Sequence, residues 1–267
     1  MKFTRCLYAL CLLAAPGAWA ATKVLVTVVE PRTGVALTGL RAEDFTVLDD
    51  KTPRPVEAAD FTRDTLDIML LLDASLVGPM VQPLAESFVA QLEPKEQMAV
   101  VAYASSADLI QDFTSSRQLI LRAISQVKFG NQPHVLDALF AAIDGGFQNS
   151  PFRRVILLLT SGYEGYSKTR DREVVRLAHR NQVSIYPAYM AGSERFMLET
   201  LARETGGASF NLPQMRKADK AEPAKRVFEA LRAHYTLTVS GNLGLSEKLK
   251  VEVKSAPKAQ VSAMALE

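Results

Sequence analysis

Hydrophobic and polar positions divide this chain into three regions of different period. In residues 22–61 apolar residues alternate with polar ones. Val24, Val26 and Val28 alternate with Lys23, Leu25 and Thr27, and Phe45 and Val47 flank Thr46. A period of two predicts strands. The turn-rich stretches at 30–34 and 49–53 separate these strands, and 56–61 predicts one more. From residue 66 the pattern changes. Residues 66–72, 98–103, 155–159 and 183–189 are short apolar runs with little polar alternation, as expected of parallel strands covered on both faces. Between them Met80, Leu84, Phe88 and Leu92 recur at helical spacing, as do Leu119, Ile120, Ile124 and Val127. Further helices are predicted at 134–143, at 169–181, at 194–204 before Gly206-Gly207, and from Pro223 onward. Residues 109–113 predict an edge strand and 208–212 a short strand. Alternation then returns at 235–240, at 248–254 and at 261–266.

This order predicts an α/β fold with a doubly wound, mostly parallel sheet over residues 64–234. The strands of 21–63 and 235–267 are expected to pair into one small β domain, the other possibility being that they pack separately. Residues 1–20 read as a secretory signal. Lys2 and Arg5 precede an apolar run, and Ala18-Trp19-Ala20 is a small-x-small cleavage site. That reading places the mature protein in the periplasm or outside the cell, with no membrane insertion after cleavage. A retained N-terminal anchor is the alternative. Both cysteines, Cys6 and Cys11, fall in this segment, so the rest of the chain has neither disulfides nor thiolate metal sites.

Charge narrows the partners. Without Lys2 and Arg5 the chain carries 29 basic and 29 acidic residues. Such balance argues against nucleic acid or an anionic membrane surface as the main partner. The 48% hydrophobic content supports an ordinary core. No Gly-x-Ser-x-Gly elbow or phosphate-binding Gly-rich Lys loop occurs, and His134, His179 and His234 have no His partner at helical spacing. Catalysis is therefore not expected. His179 reads as a surface residue and His234 as a solvated residue ending the last helix.

The chemistry concentrates at the ends of the apolar strands. Asp73-Ala74-Ser75 closes the run 68–72, which puts a carboxyl and a hydroxyl at the carboxyl edge of the sheet, where open α/β folds bind ligands. The order of several short motifs resembles bacterial secreted proteins with a von Willebrand factor type A-related domain. These are Leu37-Thr38-Gly39-Leu40-Arg41-Ala42-Glu43-Asp44-Phe45, Asp73-Ala74-Ser75, Phe113-Thr114-Ser115, Val135-Leu136-Asp137-Ala138-Leu139 and Leu158-Leu159-Thr160-Ser161-Gly162. The resemblance implies a metal-ion-dependent adhesion site built from Asp-x-Ser-x-Ser, a Thr from a second loop and an Asp from a third. Here Asp73 and Ser75 match, whereas Val77, Pro133 and Ser161 stand at the other three positions.

A hard divalent cation wants six oxygen ligands. The remnant is therefore expected to be metal-free, and no cofactor is expected. The alternative is Mg²⁺ or Mn²⁺ held with help from Asp137 or Glu164. Otherwise Asp137 serves the first turn of its helix and Glu164 is a solvated loop charge. Without a cation, Asp73 would accept hydrogen bonds from neighbouring N–H groups or from Ser75 and Ser161. The third loop, with Ser161, Tyr163, Glu164 and Tyr166, has the composition of a protein interface, though its tyrosines could equally cover the strand end. His134 adjoins it. The expectation is a non-catalytic interaction or adhesion module of the bacterial envelope, with an unidentified protein partner. A structural subunit joined through an edge strand is a further alternative.

Overall fold

The computed structural model describes residues 21–148, 150–218, 222–243 and 249–266. The proposed signal segment and both cysteines lie outside the described residues. The strands are β1 (Ala21–Val29), β2 (Phe45–Asp49), β3 (Thr52–Arg54), β4 (Val56–Arg63), β5 (Leu66–Asp73), β6 (Gln97–Tyr103), β7 (Ala107–Thr114), β8 (Arg153–Thr160), β9 (Val183–Tyr189), β10 (Phe210–Asn211), β11 (Ala233–Ser240), β12 (Leu249–Val253) and β13 (Gln260–Leu266). The helices are α1 (Gln82–Val89), α2 (Arg117–Ser125), α3 (Val135–Gly145), α4 (Asp171–Asn181), α5 (Arg195–Glu204), α6 (Leu212–Ala218) and α7 (Pro223–Arg232).

β5 is the centre of a six-stranded sheet of order β10-β9-β8-β5-β6-β7. It pairs in parallel with β6 and β8, and only the edge strand β7 runs antiparallel. Every residue of β5 is buried. Ile68, Leu70 and Leu72 pack with Phe88 of α1, Ile120 of α2 and Phe228 of α7. Met69 and Leu71 face the other way, onto Leu139 of α3, Val174 of α4 and Leu201 of α5. Helices on both faces explain why the run lacks polar alternation.

The terminal segments do pair with each other. One sheet has the order β13-β1-β11-β4 and the other β12-β2-β3. Their apolar faces share a core that includes Val24, Val26, Phe45, Val47, Leu237, Val239, Val251 and Val253. Tyr235 anchors it. Its ring lies 5.3 Å from Phe45 and 5.2 Å from Phe61. Its hydroxyl accepts from Leu40 N–H and donates to the Leu37 carbonyl. The Leu37-Thr38-Gly39-Leu40 motif thus supplies the partners that a buried phenol needs.

Four local expectations are revised. α1 begins later than the Met80 spacing predicts. Residues 78–80 form a 3-10 turn, Met80 is exposed, and the buried face is Val81, Ala85, Phe88 and Val89. Leu119 likewise lies on the exposed side of α2. The strand predicted at 208–212 shrinks to two residues because Asn211 Oδ1 accepts from Gln214 N–H and starts α6. His179 is part-buried, with Nε2 against the Glu204 carbonyl, rather than free at the surface.

His234 is the largest departure. It is 5% exposed and lies in β11, opposite Thr62 of β4. α7 passes into β11 without a loop, so the residue after the helix is drawn under the sheet. Arg232 fixes the junction through a buried two-pronged pair with Glu96. Burial, with Arg153 nearby, lowers the His234 pKa to about 4, against the opposing pull of Asp64, whose carboxyl is 3.5 Å away. Between about pH 4 and 6.5 the unfolded chain therefore binds the proton that the folded chain refuses. His234 should contribute about 3 kcal/mol that is fully present above pH 6.5 and declines as the pH falls toward 4. Denaturant unfolding across that range should show the loss, and His234→Gln should flatten it.

Candidate functional site

The carboxyl edge of the large sheet gathers three loops, following β5, preceding α3 and following β8. Backbone hydrogen bonds join them. Gly130 N–H donates to Ala74 O and Leu76 N–H to Asn131 O, which ties the first loop to the second. Gly165 N–H donates to Pro133 O, which ties the third to the second. The third loop turns at Gly162, whose φ is +94°. A Cβ there would lie 2.0 Å from the Ala191 carbonyl oxygen, so the position admits only glycine.

Asp73, with no exposed surface, sits at the centre. Its Oδ1 accepts from Ser75 N–H at 3.0 Å. Its Oδ2 accepts from Ser161 N–H at 2.9 Å and from the Ser161 hydroxyl at 2.5 Å. Ser161, standing where the adhesion site would carry a carboxylate, is instead a donor that occupies Asp73. The Ser75 hydroxyl is buried and has no partner among the described residues. Tyr103, at the end of β6, is also buried. Burial, then the neighbouring Asp73, pushes its phenol well above the usual range.

The oxygens present do not fit a hard divalent cation. Such an ion needs free carboxylate oxygens in near-octahedral array. Both Asp73 oxygens are taken by donors, the Ser161 hydroxyl is turned toward Asp73, and Val77 and Pro133 offer no side-chain oxygen. The two acids that could substitute are committed elsewhere. Asp137 accepts from Lys168 N–H and Thr169 N–H, which holds its carboxyl below the usual range despite partial burial. Glu164 is not the solvated charge expected from sequence. It accepts from Val135 N–H at 2.8 Å and from Ser167 N–H at 3.1 Å. It therefore caps the N-terminus of α3 from another loop, while burial raises its pKa. His134 is the residue preceding α3, and its Nδ1 lies 3.7 Å from Asp137.

Around this polar centre the loops present apolar side chains to solvent. Tyr166 is 91% exposed, Leu76 72%, and Tyr163, Val77 and Met80 are also exposed. Phe196, 82% exposed, joins them, because Ser193 Oγ and Glu194 N–H both donate to Gly162 O and bring the start of α5 to the third loop. Sequence reasoning missed Leu76, Met80 and Phe196 as rim residues. Phe196 carried a signal, since it falls off the stripe that Leu198, Leu201 and Ala202 bury.

Comparison with known proteins agrees with this fold. Residues 68–164 match the family model described as the von Willebrand factor type A domain, a span running from β5 into the third loop. No curated protein matches the chain. Among solved structures, the chain is similar to proximal thread matrix protein 1 from the mussel byssus with a zinc-occupied metal-ion-dependent adhesion motif. Identity is 18% and the TM-score 0.54, covering 69% of this chain and 50% of that one. A second crystal form of the mussel protein gives 16% and 0.52, covering 64% and 49%. An aerotolerance-related membrane protein from Bacteroides fragilis NCTC 9343 gives 13% and 0.48, covering 62% of this chain and 96% of that one. The chain thus spans about half the length of the mussel protein. The central α/β fold is of the von Willebrand A type.

Removing the Asp73 carboxyl would strand the Ser75 and Ser161 donors in a dry site. Asp73→Ala should lose about 3 kcal/mol of stability, and Ser161→Ala about 1 kcal/mol, because it keeps the backbone donor. Paired denaturant titrations would check the order of the two.

Proposed function

We propose that this protein is a non-catalytic interaction module of the bacterial envelope, periplasmic or secreted, that binds a protein partner through the carboxyl edge of its large sheet without a metal ion. The saturation of Asp73 by Ser75 and Ser161 is the observation that carries this reading. An adhesion site of the metal-dependent kind works by leaving a coordination position open to a partner's carboxylate. Here the same position is closed from within, and the rim offers Leu76, Tyr163, Tyr166 and Phe196 instead. Aromatic anchors surrounded by polar loop groups suit a protein interface. Glu164 and His134 contribute to the polar part of that rim, whereas Ser161, expected from sequence to be a contact, is fully buried beneath it. Among the described residues no helix is long and apolar enough to cross a membrane.

One observation favours a second reading. The buried Ser75 hydroxyl lacks a partner, as a ligand awaiting Mg²⁺ or Mn²⁺ would. It would require Asp73 to release Ser161.

Two measurements separate the readings. Thermal unfolding in EDTA and in millimolar Mg²⁺ or Mn²⁺ should give the same midpoint for the unaltered protein. A metal-dependent rise that Asp73→Ala abolishes would establish the cation reading instead. Once a partner is captured by cross-linking through the 161–167 loop, Tyr163→Ala with Tyr166→Ala should weaken its binding by at least about tenfold at unchanged fold stability. Unchanged affinity would exclude this face.

A further inference from the structure

Among the described residues strand β12 is an edge strand, hydrogen-bonded only to β2. Its free side is set by the register. Lys254 N–H donates to Asp44 O, which makes Lys254 and Asp44 a hydrogen-bonded pair. Antiparallel strands alternate bonded and non-bonded pairs. Lys250 and Glu252 therefore bond to β2, while Leu249, Val251 and Val253 direct their N–H and C=O groups to the open edge. Of these, only the Val253 carbonyl has a local partner among the described residues, Ala256 N–H. A groove of about 940 Å³ runs along this edge, with Arg195, Glu199 and Arg203 of α5 in its wall.

The edge matches itself. Set a second copy of β12 antiparallel to the first with Val251 opposite Val251. The outward-bonding residues then meet as hydrogen-bonded pairs, Val251 with Val251 and Leu249 with Val253. On the solvent face Lys250 stands opposite Glu252 of the second copy, and Glu252 opposite its Lys250. Within one chain Lys250 and Glu252 already form an ion pair at 2.6 Å, so the four charges would alternate in sign around the two-fold axis. On the inner face Val251 and Val253 extend the apolar core of both molecules. Registers centred on Leu249 or Val253, the two ends of β12, keep the bonding parity but pair little of the strand. Centring on Lys250 or Glu252 opposes like charges and turns the free backbone groups away from each other. A one-residue slip sets a solvent-facing Lys against a core-facing Val.

We propose that β12 is a homodimerisation strand, joining two copies of this chain through an isologous antiparallel pairing centred on Val251 that continues the β12-β2-β3 sheet across the two-fold axis. The second copy is singled out as the occupant because bonding parity and charge complementarity coincide in the register that pairs the full length of β12. This surface is distinct from the carboxyl edge and does not depend on what binds there.

Sedimentation velocity of the protein lacking its first twenty residues, over a dilution series, tests the proposal. The unaltered protein should dimerise reversibly. Lys250→Glu should weaken the dimer by about tenfold, since it opposes two pairs of like charges across the axis. Lys250→Glu combined with Glu252→Lys should restore it. Both side chains are more than half exposed, so the variants should keep the unaltered monomer's unfolding midpoint, which serves as the folding control. A protein that is monomeric at every concentration overturns the proposal. So does a dimer that Lys250→Glu leaves unchanged, or one that the double exchange fails to restore. Tyr163→Ala should leave the dimer unaffected, which keeps this result separate from any at the carboxyl edge.

Discussion

The link between Asp73 and Ser161 is the interaction on which the carboxyl edge depends. It joins the ends of two adjacent central strands, β5 and β8, just past Leu72 and Leu159, the last residues that they pair with each other. The site is buried, so the hydrogen bonds are unscreened and costly to lose. Every other feature of the rim follows from this closure. The third loop can turn at Gly162 because Ser161 is held. That turn brings Ala191, Ser193 and Glu194 against the loop, and with them the start of α5 and Phe196.

The same closure changes the chemistry of the edge. A carboxyl whose oxygens face donors from its own chain is a structural tie, while one facing open space is a ligand. Ser161 supplies both of the donors that face Oδ2 of this carboxyl. Glu164 shows a related change of role. It reaches from the third loop to the N-terminus of α3, where orphan N–H groups and the helix dipole favour an acid. Two acids near the site are thus committed to holding loops in place, and the surface left to a partner is apolar and aromatic.

The strands at the two ends of the chain serve a different purpose. β1 lies between β11 and β13, so the first described segment is held by the last ones. Tyr235 explains why this pairing is specific. It follows α7 by only a few residues, yet its hydroxyl reaches the Leu37–Leu40 segment nearly two hundred residues earlier. Such contacts are expensive in loop entropy and are secured by burial of the ring against Phe45 and Phe61.

The sequence by itself determined the elements. Uninterrupted apolar runs marked parallel strands covered on both faces, and clean alternation marked the half-buried terminal strands. Both patterns are local, because they reflect how side chains leave a strand or helix. Its resemblance to von Willebrand A-type domains implied that Asp73, Ser75 and Ser161 are neighbours, and the structure brings Ser75 and Ser161 to Asp73. What the sequence could not supply was the direction of each hydrogen bond and the burial of residues at junctions. His234 looked like a solvated helix end and is buried, because α7 runs directly into β11. Glu164 looked like a loop charge and is a cap for a helix that begins at residue 135. Each of these was decided by a contact with a segment distant in sequence. A side chain's environment is set by what folds against it, and no local period records that.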